Sequence, residues 1–166
     1  MTLFEFKTQK SVSSWHPEND VVMGGVSNSA LTYVQDAHET GVGRFSGNVS
    51  LENGGGFAQV LYDKTVLDLT GFQGVTLHIK GDNKTYELRF ETDAERVSYS
   101  QSFVAEDGWR ELKLDFADFD PTFHGEAVVD APALNLAAVR TVGFLIANEQ
   151  AGTFSLLINE VTAYRG

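Results

Sequence analysis

The feature that most constrains this chain is a period-two alternation of apolar and polar residues. It recurs along the chain, with glycine-containing breaks between the segments. Val75, Leu77 and Ile79 alternate with Thr76, His78 and Lys80, and Tyr86, Leu88 and Phe90 alternate with Glu87, Arg89 and Glu91. Successive side chains of a strand point to opposite faces, so each segment has one face for a core and one for solvent. A helix would instead return apolar residues every three or four positions.

The pattern extends over most of the chain. From Arg44 to Glu52, Phe45, Gly47, Val49 and Leu51 share one parity and Ser46, Asn48, Ser50 and Glu52 the other. Asn53-Gly54 suits a tight turn, so the sequence predicts a hairpin with a returning strand from Phe57 to Tyr62. Gly81-Asp82-Asn83-Lys84 predicts a second hairpin, joining the 75–80 and 86–91 segments. Further strands are expected from Val97 to Val104, with Ser98, Ser100 and Ser102 on a small polar face, from Trp109 to Leu114 and from Thr153 to Tyr164. Val142 to Ala147 is apolar on both parities, as in a strand covered on both faces. Only Ala133 to Val139 offers a short helix. These readings give an all-β protein, an antiparallel β-sandwich or jelly roll, as one domain over residues 1–166. An up-and-down barrel fits less well, because residues 108–125 are irregular.

Composition narrows the function. The 166 residues include 12 Phe, enough large side chains for one core. The protein is acidic, with 23 Asp and Glu against 12 Lys and Arg, a net charge of -11. Such a surface repels phosphate backbones and anionic lipid, so neither nucleic acid nor a membrane surface is an expected partner. There is no Cys, which excludes disulfides and thiolate chemistry. Residues 1–7 lack a signal-peptide pattern and no apolar run suits membrane insertion, so a cytoplasmic location is the expectation.

Catalytic motifs do not emerge. No G-x-S-x-G is present, and Gly41-Val42-Gly43-Arg44-Phe45-Ser46 departs from a dinucleotide-binding loop at its last position. His16, His38, His78 and His124 show no metal-ligand spacing. Asp115 to Asp120 lacks the glycine and distal glutamate of a calcium loop, and reads as a chain end with Phe116 and Phe119 buried. If the terminal strands pair, Glu5 meets Asn159 and Glu160, the candidates for a structural Ca²⁺. No other cofactor is indicated.

Two segments stand out. In Trp15 to Ser27, paired Gly24-Gly25 sits beside Asn19, Asp20 and Met23, either plugging the end of the sandwich or presenting a binding patch. In Glu52 to Phe57, Gly54, Gly55 and Gly56 exceed what a simple turn needs. Together with Arg89 and Trp109, the candidate ligand- or partner-binding residues are Trp15, Asn19, Asp20, Met23, Gly24, Gly25, Ser27, Asn53, Gly55 and Phe57.

The same segments carry a family resemblance. Asn19-Asp20, Val22 to Ser27, then Phe45, Gly47, Val49 to Asn53 and Gly55 to Ala58 resemble the family of the complex I intermediate-associated protein of thirty kilodaltons. The similarity continues through Lys80-Gly81-Asp82, Tyr86 to Arg89, Trp109, Phe119 to Phe123 and Gly125, and ends in Gly143-Phe144, Gly152, Phe154 and Leu157-Ile158. Asn83 departs from the family's glycine and His124 from its arginine. The resemblance implies a galactose-binding-like sandwich, a chaperone-like role in assembling respiratory complex I and, without a presequence, a bacterial member. It brings no catalytic residues.

The expectation is thus a non-catalytic protein-binding factor whose partners are respiratory-chain assembly intermediates. A carbohydrate-binding module is the alternative, with Trp109, Tyr99, Arg89 and Gln101 as sugar contacts. A hydrolase or isomerase on the same scaffold is a second alternative, and would need convergent acids or histidines.

Overall fold

A computed structural model describes residues 1–19, 25–35, 41–52, 56–92, 97–123, 126–147 and 150–166. The strands are β1 (Thr2–Glu5), β2 (Trp15–Pro17), β3 (Asn28–Val34), β4 (Val42–Val49), β5 (Ala58–Tyr62), β6 (Gly74–Lys80) and β7 (Thr85–Glu91). They continue as β8 (Ser98–Val104), β9 (Arg110–Asp115), β10 (Asp120–Phe123), β11 (Glu126–Ala127), β12 (Thr141–Ile146) and β13 (Gly152–Tyr164). Every pairing among them is antiparallel. A six-stranded sheet runs β3-β4-β13-β6-β9, with β1 also on β13, and a seven-stranded sheet runs β11-β10-β8-β7-β12-β5-β2.

The alternation read from the sequence builds one core from the inward faces of both sheets. Phe45, Leu77, Ile79, Leu156 and Ile158 come from the six-stranded sheet, and Tyr86, Leu88, Phe90, Phe144 and Ile146 from the other. Each is at most 2% exposed, and burying a side chain of this size stabilises by roughly 1.5–3 kcal/mol. The sandwich fold expected from the sequence is the fold observed.

Two connections differ from expectation. β4 and β5 do not form a hairpin, and neither do β6 and β7, because each pair is split between the two sheets. Alternation marks the buried face of a strand without naming its neighbour. At 81–84 the backbone is tied across the sandwich to the β8–β9 connection: Gly81 N–H donates to Glu106 C=O, and Asn83 N–H to Ala105 C=O. Asp82 completes the crossing by accepting from the Tyr86 hydroxyl at 3.0 Å and the Ser155 N–H at 2.9 Å. Burial and the neighbouring Asp82 charge push the Tyr86 phenol far up. Asn83 sits at φ 68°, left-handed backbone that asparagine tolerates almost as glycine does. Asparagine therefore fits the backbone here, where the resemblance implies a glycine.

The predicted helix from Ala133 to Val139 is absent. Leu67 and Val139 form a two-way backbone bridge, and Leu69 N–H donates to Leu136 C=O, so neighbouring chain takes the hydrogen bonds a helix would use. The observed α-helix, α1 (Gln9–Val12), is one turn started by a Thr8–Ser11 capping box, too short to show a period. Leu51 is another correction. β4 ends at Val49, and Leu51 lies outside it, 45% exposed. Phe116 and Phe119 are buried around a 3-10 turn, as expected.

Candidate functional site

The glycine-rich crossings meet through their described flanks. Asn19 Oδ1 accepts from Ser29 Oγ at 2.7 Å and from Gln59 N–H at 3.0 Å, linking β3 of one sheet to β5 of the other. Ser50 N–H donates to the buried Ser27 Oγ at 2.9 Å, and Gly25 is buried nearby in sequence. Asn19 and Ser27 thus act as staples between crossings. Asp20, Met23, Gly24, Asn53 and Gly55 lie outside the described residues, and Phe57 is half-buried just before β5.

Trp15 is a core residue, 8% exposed, inside a ring cluster with Phe4, Phe6, Tyr62 and Phe144. Its place on β2, paired with Tyr62, turns it inward, so the ring is not a binding surface. Tyr99 and Gln101 share the inward parity of β8, opposite Phe90 and Leu88, and the Tyr99 hydroxyl donates to Pro132 C=O. Trp109 precedes β9 and rests on His78 at 5.0 Å, on the outer side of the six-stranded sheet. The four proposed sugar contacts are therefore not brought together. Of these, Arg89 alone lies on the outer face of the seven-stranded sheet.

That face is a regular grid. One row across the strands is Asp120, Ser100, Arg89, Gly143, Leu61 and His16. Beside it on one side run Thr122, Ser98, Glu91 and Thr141, and on the other Ser102, Glu87, Leu145 and Gln59. Although these positions point away from the core, Leu145 is 3% exposed and Gln59, Leu61 and Ser100 are 7% exposed each. The floor is low because its central residues are Ser and Gly. At Gly143 an added Cβ would lie 2.6 Å from Leu61 Cδ2, so this glycine lets Leu61 cover the sheet.

Two buried polar atoms of the grid have no hydrogen-bond partner: Arg89 Nε and Gln59 Oε1. A buried unsatisfied group costs about 1–3 kcal/mol, which a docked group can return. Among the described residues no ion pair joins Arg89 to Glu87 or Glu91, its same-face neighbours on β7. Glu91 accepts from Ser98 Oγ at 2.9 Å. The face thus offers a donor, an acceptor and carboxylates, and none of the described grid residues is a Phe, Tyr or Trp on which a sugar ring could stack. The alternation of 86–91 already placed Glu87 and Glu91 beside Arg89. Gln59 was missed because its strand lacks alternation, with Ala58 to Leu61 all buried.

The terminal strands pair as anticipated, with Glu5 opposite Glu160. Asn159 is occupied, its Nδ2 lying 2.8 Å from His78 Nδ1. Among the described residues no group of three His, Asp or Glu that could hold a metal gathers anywhere.

Comparison with known proteins gives the fold wide company. The chain is similar to the family 11 carbohydrate-binding module of a cellulosomal cellulase of Clostridium thermocellum, with TM-score 0.77, 14% identity, and coverage of 100% of this chain and 94% of that one. It also resembles part of an agarase, with TM-score 0.68 and 10% identity, covering 100% of this chain and 24% of that one. At such identities the likeness is one of fold. In sequence, an uncharacterized protein of Schizosaccharomyces pombe is 29% identical over 177 residues, covering 90% of this chain and 80% of that protein. The family model of Complex I intermediate-associated protein 30 matches residues 4–158, nearly the whole chain, and the chain belongs to that family.

Proposed function

We propose that this protein is a non-catalytic binding factor that engages protein intermediates during assembly of respiratory complex I. The observation that carries the reading is the family match over residues 4–158. The site's chemistry is compatible with it. The grid presents hydrogen-bonding groups and charges on a rigid sheet, suited to holding a partner.

The test is purification of the tagged protein from its own host after mild cross-linking, with native gels of respiratory complexes from a strain lacking it. The expected result is recovery of complex I subunits, and accumulation of partial complexes in the deletion strain. Normal complex I together with no recovered respiratory subunit would overturn the reading.

A further inference from the structure

Along β7 the outward side chains read Glu87, Arg89, Glu91, a negative–positive–negative line. Alternate residues of a strand are roughly 6.6–6.8 Å apart, a spacing shared by any extended peptide laid alongside. The three charges are not satisfied by one another, and buried Arg89 Nε has no partner. Independently, Gln59 sits at an outward position of the same face, more than nine-tenths buried, and its Oε1 has no donor. The small side chains of Ser98, Ser100 and Ser102 keep the face low over β8, and Ser98 holds one end of the line by donating to Glu91. An acidic ligand would meet Glu87, Glu91 and Asp120 on this face, within a chain of net charge -11.

We infer that the outer face of the seven-stranded sheet is a docking surface for an extended segment of a protein partner, one carrying basic, acidic and basic side chains at alternate positions. The two basic groups pair with Glu87 and Glu91, and the acidic group meets the Arg89 guanidinium. This rests on the reading of the chain as a protein-binding factor, and names the surface and the pattern it selects.

The experiment titrates the isotope-labelled protein with the peptide Gly-Lys-Ser-Glu-Ser-Lys-Gly, its charge-reversed counterpart Gly-Glu-Ser-Lys-Ser-Glu-Gly, and a β-1,3-1,4-linked glucose tetrasaccharide, following backbone amide signals. The expected result is that the first peptide shifts residues 85–91, 98–102 and 141–145, with the reversed peptide binding roughly tenfold more weakly. The double variant E87K/E91K should invert that preference, and R89Q, which keeps the shape with less risk to folding, should weaken the first peptide about fivefold. Equal binding of both peptides, shifts confined to the six-stranded sheet, or a response of this face to the tetrasaccharide but not to peptide overturns the inference. Co-purification separates the two readings. Respiratory subunits recovered equally by wild type and E87K/E91K overturn the surface alone, whereas none recovered by wild type counts against the proposed function.

Discussion

The two sheets show the same alternation in sequence, yet their outer faces behave differently. On the six-stranded sheet the outward rows Thr32–Arg44–Leu157–Lys80, Lys113–Thr76–Thr162–Thr2 and Glu111–His78–Glu160–Glu5 are all half-buried or exposed. Some polar groups there are paired: His78 has Asn159 and the Trp109 ring, and Lys113 lies over the Tyr164 ring at 4.9 Å. On the seven-stranded sheet several outward residues, Gln59, Leu61, Ser98, Ser100 and Leu145, are buried, and two polar atoms of the grid lack partners. This contrast fits the docking surface inferred above, since a buried polar atom without a partner calls for an explanation. The six-stranded face is finished as a solvent surface.

The most severe test of this contrast uses two outward leucines on long central strands. Leu145 is 3% exposed on β12, while Leu157 is half-buried on β13. Leu145→Ala should cost about 2–4 kcal/mol, as in a core, because its neighbours have closed over it. Leu157→Ala should cost less than about 1 kcal/mol. Urea unfolding of both variants checks this, and equal costs would erase the distinction between the faces.

How much of this was legible in the sequence follows from what alternation encodes. Strand existence and the inward parity of residues 75–80, 86–91 and 97–104 depend on local pattern alone and they hold, although Ser98 and Ser100 on the outward parity are buried as well. Partnership did not follow, because the signals that send β4 to β13, and β6 to β13 and β9, lie far away in the chain. Asp82 shows the difficulty: its turn looks like a hairpin tip, but its oxygens bind Tyr86 and the remote Ser155. Arg89 was identifiable as outward, while the burial of Gln59 depends on β12 lying beside it. Trp15 misled because a tryptophan next to a glycine-rich loop suits a plug as well as a binding patch, and the ring partners that decide it include Phe144 from the far end of the chain.

A second, smaller effect compares polar groups on the two faces. Gln59→Leu keeps the volume and removes an acceptor with no donor, so it should be neutral or stabilising by up to ~1 kcal/mol. Asn159→Ala removes the contact to His78 and should destabilise by about 1 kcal/mol. Thermal melts of the pair give opposite signs if the seven-stranded face holds unused groups. If Gln59→Leu is clearly destabilising, its amide is already satisfied and the grid loses one of its two open atoms.

The smallest expected effect concerns acid. Asp115, at the end of β9, accepts from Gln73 Nε2 at 2.8 Å and from Ala117 N–H at 2.9 Å, and these donors hold its carboxyl below the usual aspartate range. A carboxyl lowered on folding contributes stability above its unfolded value, near 3.9, and loses it as pH falls through the folded value. The contribution should therefore be intact at neutral pH and fade only in strong acid. Asp115→Asn should be less stable than wild type at neutral pH, with the difference closing as the pH drops below about 4. Urea midpoints measured from pH 7 down to pH 2 follow that closure. A gap that stays constant with pH would mean the two donors act by shape rather than charge. The completed polar contacts at the edge of the six-stranded sheet would then add no charge-linked stability, and burial alone would separate the two faces.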